Sequence, residues 1–289
     1  MVKQIFFIKD SYQNLLSNRR GDIFLETQLL FGEIVFKSPP QPEYIFSCEQ
    51  TIIRINGNRT YYPGHISDHA ALFPVYTNCC PTHTIASTCA VLGEKKLPLS
   101  FGTLVTADNS GNISLPDGTT TYCDPVHLRP LSQNFSVETL ITDAQRLIGF
   151  PYVWGGRFLF KQDFSNRYGV DCSGFLNLLF RAQNISIPRN SIDQFKNSTV
   201  IRSFDELSVG GAIFLAENQT NRITHVMLKT GEDTIIDASK GAGKVRVLER
   251  GRNFKFSEMN MHLSYNKQPN KVITAFFGDI KKHPFDRVF

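Results

Sequence analysis

From residue 23 to residue 131 the apolar positions fall in short runs rich in β-branched and aromatic side chains, among them GEIVF, YIFSC, TIIRI and GTLVTA. Clusters of Gly, Pro, Asn and Asp separate them: KSPPQPE, NGNR, YPGH, DNSGN and LPDGTT. Strands this short, at a spacing of roughly ten residues, predict small barrels or meanders rather than a parallel sheet. Two stretches echo each other. TQLLFGEIV (27 to 35) and LPLSFGTLV (97 to 105) both place Phe-Gly before a β-branched strand. Two tandem small barrels with a boundary near residue 80 explain the echo, and one barrel with a long insertion is the alternative.

After HLRPLSQN the period changes. Ser136 stands ahead of Val137, Leu140, Ile141, Ala144, Leu147 and Ile148 at helical spacing, with Gly149 to close the helix and Pro151 to stop it. A second helix is predicted from about Ser173 to Asn184, with Phe175, Leu178, Leu179 and Ala182 on one stripe. Strand-like runs then return as GAIFLA, THVMLKTG, TIIDAS, KVRVLE and KVITAFFG. Helices followed by an antiparallel sheet give an α+β pattern.

Composition narrows the function classes more than it narrows the fold. The 289 residues are 41% hydrophobic and 20% charged, with a formal net charge of +5. The basic residues are scattered, with pairs such as Lys95-Lys96 and Lys281-Lys282 as the densest clusters, which argues against a dedicated nucleic-acid binder. Five of the six cysteines (Cys48, Cys79, Cys80, Cys89 and Cys123) precede Cys172, and no CxxC pair exists. That argues against a zinc ribbon and favours reduced, mostly buried thiols over a disulfide bridge. The first residues hold a short apolar run broken by Lys9 and Asp10, with no cleavage site after it. No apolar stretch is long enough to span a bilayer. The expectation is a cytoplasmic protein, with a periplasmic one exported by another route as the alternative.

Cys172 carries the first hint of chemistry. A cysteine nucleophile works as the thiolate, which a helix N-terminus and a neighbouring imidazolium both favour. Cys172 starts an amphipathic helical run, with Asp171 as a plausible N-cap. Of the three histidines after it, His262 lies in a polar stretch and His283 in the tail, whereas His225 sits in the strand RITHVML. If that strand forms a hairpin with TIIDAS, Asp237 faces His225 and completes a Cys172–His225–Asp237 triad. Residue types alone leave this open, because each of the three is commonly structural.

The surrounding text is more specific. LIGFPYVWGG (147 to 156), DCSGF (171 to 175), IPRNSIDQF (187 to 195), LSVGGAIFL (207 to 215), THVMLKTG (224 to 231) and IIDAS (235 to 239) occur in this order. Together they resemble the NlpC-type family of cell-wall cysteine peptidases, which reads PYxWGG, DCSGL, PRxS, LxPGDLxFF, HVGIYxG and xIHAS in series. Upstream, ETQLLFGEIV (26 to 35) and TYYPGHI (60 to 66) look like strands of the bacterial SH3-like domains that precede such peptidases. The resemblance implies a papain-like catalytic domain over 133–289. SH3-like β domains are implied over 21–80 and, as a second copy or an insertion, over 81–132, after an N-terminal segment 1–20.

It also implies hydrolysis of the bond between γ-D-Glu and meso-diaminopimelate or Lys in peptidoglycan-derived peptides, with no metal or organic cofactor. Cys172 would be the nucleophile and His225 the base. Asp237 stands where the family has a second His, a departure that still leaves an acceptor for the imidazole N–H. Asp171 and Tyr62, with Tyr61 as its neighbouring alternative, would bind the free amine of an N-terminal L-Ala. Ser173 and Trp154 match further positions near the substrate. Met227 replaces a small residue beside the active site, VGGAIF lacks the family's Asp, and the aromatic insertion after Gly156 is expected to wall or cover the cleft. Two other functions fit the same residues: an inactive wall-peptide binding module, and an amidase or acyltransferase on the same core. The oligomeric state is not set by the sequence.

Overall fold

The computed structural model describes residues 4–19, 22–38, 41–66, 72–77, 79–161, 168–217, 222–257 and 262–284. The first sheet has seven strands: β1 (Gln4–Ile8), β2 (Tyr12–Arg19), β3 (Asp22–Leu30), β4 (Ile34–Ser38), β5 (Gln41–Ile53), β6 (Arg59–Ile66) and β7 (Leu72–Pro74). They are ordered β3-β2-β6-β5-β4-β1-β7, and every neighbouring pair is antiparallel. This corrects the boundary at residue 20. β2 pairs with β3 from Tyr12↔Leu30 to Arg19↔Asp22, and β1 lies between β4 and β7. The expected N-terminal segment is two strands of this sheet, and Phe7, Ile8 and Leu15 on it are fully buried.

A second β unit follows, with β8 (His83–Ile85), β9 (Val91–Leu92), β10 (Leu97–Pro98), β11 (Leu104–Ala107), β12 (Asn112–Ser114), β13 (Thr120–Tyr122) and β14 (Leu128–Pro130). Five of these form a sheet ordered β13-β12-β11-β8-β14, and β9 and β10 make a separate hairpin. The Phe-Gly echo is structural. Glu33 N–H donates to Leu30 at 3.0 Å and Thr103 N–H donates to Ser100 at 3.1 Å, so both stretches close the same four-residue turn. Gly32 and Gly102 each take φ near +80°, as the third position of a type II turn requires. Both phenylalanines are buried, but in different cores. Phe31 joins Phe7, Ile34, Ile85, Leu99 and Val105 in a core shared by the two β units. Phe101 packs with the helices of the unit that follows.

That third unit opens with α1 (Val137–Arg146), capped by Ser136 Oγ accepting from Thr139 N–H at 3.1 Å. The short pair β15 (Arg157–Phe158) and β16 (Gly169–Val170) leads into α2 (Cys172–Arg181), then β17 (Ile185–Ser186) and α3 (Ser191–Lys196). The remaining strands are β18 (Ser198–Ile201), β19 (Ala212–Ala216), β20 (Ile223–Lys229), β21 (Thr234–Ser239), β22 (Lys244–Glu249), β23 (Phe254–Phe256), β24 (His262–Tyr265), β25 (Gln268–Ile280) and β26 (His283–Pro284). The main sheet runs β22-β21-β20-β19-β25-β24-β23, with β18 also on β25. Alternation along these strands gives each face its own core. Val226, Leu228, Phe214 and Ile236 pack with Phe175, Leu176 and Leu179 of α2. Met227, Ile213, Ile235 and Leu248 pack with Phe204 and Phe254. Met227, two residues from His225 along β20, is fully buried in this second core.

The β units are fastened to this α+β unit by buried charge. Arg157 Nη1 lies 2.9 Å from Glu33 Oε1, and Arg181 Nη1 lies 2.6 Å from Glu49 Oε2, with all four side chains at most 1% exposed. Gln28 adds two bonds to Arg157, accepting its N–H on the side chain at 2.8 Å and its guanidinium on the main chain at 2.7 Å. Removing one partner of such a pair leaves an uncompensated buried ion, which is why the arrangement fixes relative orientation. The aromatic insertion joins the same seam. Phe158, Leu159 and Phe160 are buried, and the Phe158 ring packs in tilted contact with both Tyr12 and Tyr168, at 4.9 Å between centroids in each case. The described part of the insertion is thus a clamp between units and not a wall of the cleft. Residues 162–167 lie outside the described residues. All six cysteines are free, but only Cys123 and Cys172 are buried, fewer than expected. No helix among the described residues is long and apolar enough to cross a membrane.

Candidate active site

Cys172 is the first residue of α2, where backbone N–H groups have no intrahelical partner and the helix dipole favours negative charge. Its thiol lies within electrostatic reach of the His225 imidazole. β20 and β21 pair with Leu228 opposite Ile236, and side chains alternate, so His225 and Asp237 fall on the same face. Their side chains meet, with His225 Nε2 2.7 Å from Asp237 Oδ2. That contact uses Nε2 and leaves Nδ1 for the thiol.

Asp237 has a second partner that the sequence did not reveal. Arg246 lies directly opposite it on β22 and donates Nε–H to Oδ1 at 2.9 Å. Burial alone would raise the Asp237 carboxyl, but the His225 hydrogen bond and the Arg246 guanidinium hold it below the usual carboxylate range. For His225, burial opposes the charged ring. The thiolate charge of Cys172 and the hydrogen bonds to Asp237 and Cys172 outweigh it, and push the imidazole up to about 10. The arrangement favours an imidazolium beside the thiol, and a neighbouring imidazolium is one of the two agents that activate a cysteine nucleophile.

Asp171 is more heavily engaged than its expected role requires. As N-cap it accepts from Gly174 N–H at 2.6 Å, and its other oxygen accepts from Gly155 N–H at 3.0 Å. Arg189 grips both oxygens, at 3.0 and 2.7 Å, and Ser173 Oγ donates to Oδ1 at 3.2 Å. Five donors fill the acceptor capacity of a carboxylate. Its charge is balanced by Arg189, so a free ammonium would have to displace a partner. Burial works against the Arg189 guanidinium, but Asp171 more than compensates and raises it.

The carboxylate beside Tyr62 is instead Glu26 of β3. Tyr62 donates its hydroxyl to Glu26 Oε2 at 3.1 Å, with Asn190 Oδ1 at 3.4 Å. Burial, the largest effect, holds the Tyr62 phenol far above its ordinary range, so it stays a donor. Tyr61 points outward against Phe36 and takes no part. The approach of β3 to the nucleophile needs Gly155. With φ at +72°, a Cβ there would lie 2.8 Å from the Leu25 side chain and 2.9 Å from its carbonyl oxygen. Another loop of the α+β unit, between β17 and α3, reaches back as Arg189, whose Nε–H donates to Thr27 at 2.7 Å and whose main-chain N–H donates to Thr51 at 2.9 Å.

The structure therefore brings Cys172, His225 and Asp237 together, and gathers Asp171, Ser173 and Tyr62 around Arg189. Trp154 stands apart from that second group, 64% exposed, on a cleft that opens on the His225 side. Glu26, Arg189, Arg246 and Tyr152 were missed as site residues. Arg189 and Tyr152 lie inside quoted motifs, and Glu26 begins the quoted SH3-like strand, so text at each was available. Tyr152 senses the charges of Cys172 and Asp171, although burial is the larger cause of its raised phenol.

Residues 149–264 match the model of the NlpC/P60 family. The chain is 27% identical over 269 residues to a gamma-D-glutamyl-L-lysine dipeptidyl-peptidase of Bacillus subtilis (strain 168), a match covering 86% of this chain and 85% of that protein. It is 33% identical over 117 residues to the peptidoglycan endopeptidase RipB of Mycobacterium tuberculosis, covering 39% of this chain and 47% of that one. An NlpC/P60 family protein from Bacillus cereus ATCC 10987 superposes with a TM-score of 0.68 at 20% identity, over 85% of this chain and 94% of the other. That likeness is one of fold, and it extends well beyond the α+β unit.

Proposed function

The chain carries an NlpC/P60 domain, that of peptidoglycan-cleaving cysteine peptidases, and on this premise we propose that it hydrolyses the γ-D-glutamyl–diamino-acid bond of stem peptides with a free N-terminal L-Ala. The observation that carries the reading is the Glu26–Tyr62 pair, which a β unit brings against Asn190, the neighbour of the Arg189 that holds Asp171 beside Cys172. We read the two β units as SH3-like modules, the first of which supplies this half of the site.

The mechanism follows from the geometry. Cys172 Sγ, its proton held by His225, attacks the γ-carbonyl of D-Glu. The oxyanion is met by the free backbone N–H of Cys172 at the start of α2. His225 then protonates the departing amine, and water hydrolyses the thioester to release L-Ala-D-Glu. Asp237 holds the imidazole through Nε2, and Arg246 holds Asp237. At the other end Glu26 and Tyr62 meet the α-ammonium of L-Ala, while Asp171 and Arg189 shape the floor with Ser173. A stem peptide still attached to sugar has an amide in place of that ammonium and loses the charge pair. Such a site favours released peptides, which fits recycling inside the cell.

Mass spectrometry of L-Ala-γ-D-Glu-meso-diaminopimelate with wild type and Cys172→Ala, beside the N-acetylated peptide, tests this. Release of L-Ala-D-Glu from the free peptide only, and by wild type only, is expected. Equal cleavage of both peptides would discard the amine pocket and the recycling role. Cleavage of neither, with binding retained, would leave a binding module.

A further inference from the structure

Asp237 is fully buried, and both of its oxygens are engaged: Oδ2 with His225 Nε2 at 2.7 Å, and Oδ1 with Arg246 Nε at 2.9 Å. Arg246 Nη2 adds a longer contact to Oδ2, at 3.5 Å. Arg246 is held in turn from across the sheet. Its guanidinium carbon lies 5.5 Å from the centroid of the Tyr265 ring on β24. Five strand spacings of about 4.8 Å separate β22 from β24, so the sheet must curl for these two side chains to meet. Among the described residues, Arg246 is the one cation besides the His225 ring that pairs with Asp237. Burial works against the Asp237 charge, and Arg246 helps His225 to oppose it. Cys172 of α2 faces His225 from the other side, and burial holds the Tyr265 phenol up at about 12, so it adds no charge. Lys240, Arg252 and Lys267 line the cleft on which His225 opens, all three exposed to solvent.

Resting on the peptidase reading above, we propose that Arg246 is a positioning residue that the carboxylate at 237 makes necessary: it keeps Asp237 charged and turned toward His225. A histidine at that place, as the family resemblance leads one to expect, would set no such task. A neutral imidazole carries no charge to be lost on burial, and it can accept the His225 N–H without a cation behind it. A buried carboxylate with only the imidazole for partner would have an empty oxygen, and would take up a proton more readily. The departure at 237 and the arginine opposite it on β22 therefore form one device, and each is of use only with the other.

Alkylation of Cys172 by iodoacetamide, followed against pH by mass spectrometry of the peptide that carries it, reads the site without a substrate. Arg246→Met should move the acid limb of that profile up by about one pH unit, because Asp237 then takes up its proton earlier and His225 loses an anionic partner. Arg246→Lys, which keeps the charge but not the planar fork, should restore about half of the shift. In the Asp237→His background, Arg246→Met should move the limb by less than about 0.3 unit. An unmoved limb in Arg246→Met alone, or the same shift in both backgrounds, would overturn the proposal, since a mere strut of the sheet acts alike in each. If Arg246→Met does not fold, the double variant decides: its folding supports the dependence and its failure overturns it. If wild type leaves L-Ala-γ-D-Glu-meso-diaminopimelate uncleaved, the peptidase reading fails alone, and the alkylation profile still decides on Arg246.

Discussion

The two regions that flank the Cys172–His225 pair are built on opposite principles. The Glu26–Tyr62 end lies on a seam between units, where Arg189 is tied to Asp171, Thr27 and Thr51, and deeper in the same seam Arg157 and Arg181 hold Glu33 and Glu49. The Lys240–Lys267 end belongs to one unit only, on exposed turns whose lysines have no acidic partner among the described residues. Charge at the first end is buried and paired, so it sets geometry. At the second end it is solvated, so it acts through its field and tolerates substitution.

The strongest way to break the comparison is at the seam. Arg157→Ala strips Glu33 of a partner inside the protein, and equilibrium unfolding should show a loss of about 3–5 kcal/mol. Lys267→Gln, at the other end, should stay within about 0.5 kcal/mol of wild type in the same assay. Comparable losses would mean that the two ends are not built differently. Next in size is Glu26→Gln. It keeps the shape and removes the charge, and kcat/KM for the free-amine peptide should fall by about 10- to 100-fold, toward the level of the N-acetylated peptide. An unchanged kcat/KM for the free-amine peptide would move the amine pocket away from Glu26.

A subtler effect lies in pH dependence, which the Asp237–Arg246 pairing sharpens. His225 is raised from 6.5 to about 10, so the stability its protonated form contributes is complete below 6.5 and is lost as pH rises through about 10. Asp237 is depressed from 3.8, so its contribution is present above that value and disappears as pH falls through the lowered one. The kcat/KM profile should accordingly lose its alkaline limb near pH 10, where the imidazolium that protonates the leaving amine is gone. Asp237→Asn removes an anion from His225 and should bring that limb down by about one unit. An unmoved limb would take Asp237 out of the triad.

The sequence was most legible where local pattern and function coincide. Ser136 capped its helix, Asp171 capped α2 and put Cys172 at its N-terminus, and strand alternation aligned His225 with Asp237. The Phe-Gly echo also survived as two turns of the same geometry. What escaped was decided at long range. Nothing near Glu26 in the sequence indicates that Tyr62 and the Arg189 loop will close over it, and Arg246 is only a charged residue on a strand until β22 pairs with β21. β1 and β2 were overlooked because a short apolar run and a polar one make convincing strands only once β3, β4 and β6 lie alongside. The insertion misled for the opposite reason. Its aromatic residues looked like a wall or cover of the cleft, but Phe158 packs between Tyr12 and Tyr168.

The Glu33–Arg157 and Glu49–Arg181 pairs also bear on how such a protein can be taken apart or recombined. An α+β unit expressed alone would expose two arginines meant for the interior, together with the face around Phe158. A β unit exchanged for another would have to present carboxylates at both places and a carboxylate–phenol pair beside the thiol. Heredity therefore acts on the ensemble: the modules can diverge in surface and loop, but they can be inherited separately only if the acids and the arginines travel together.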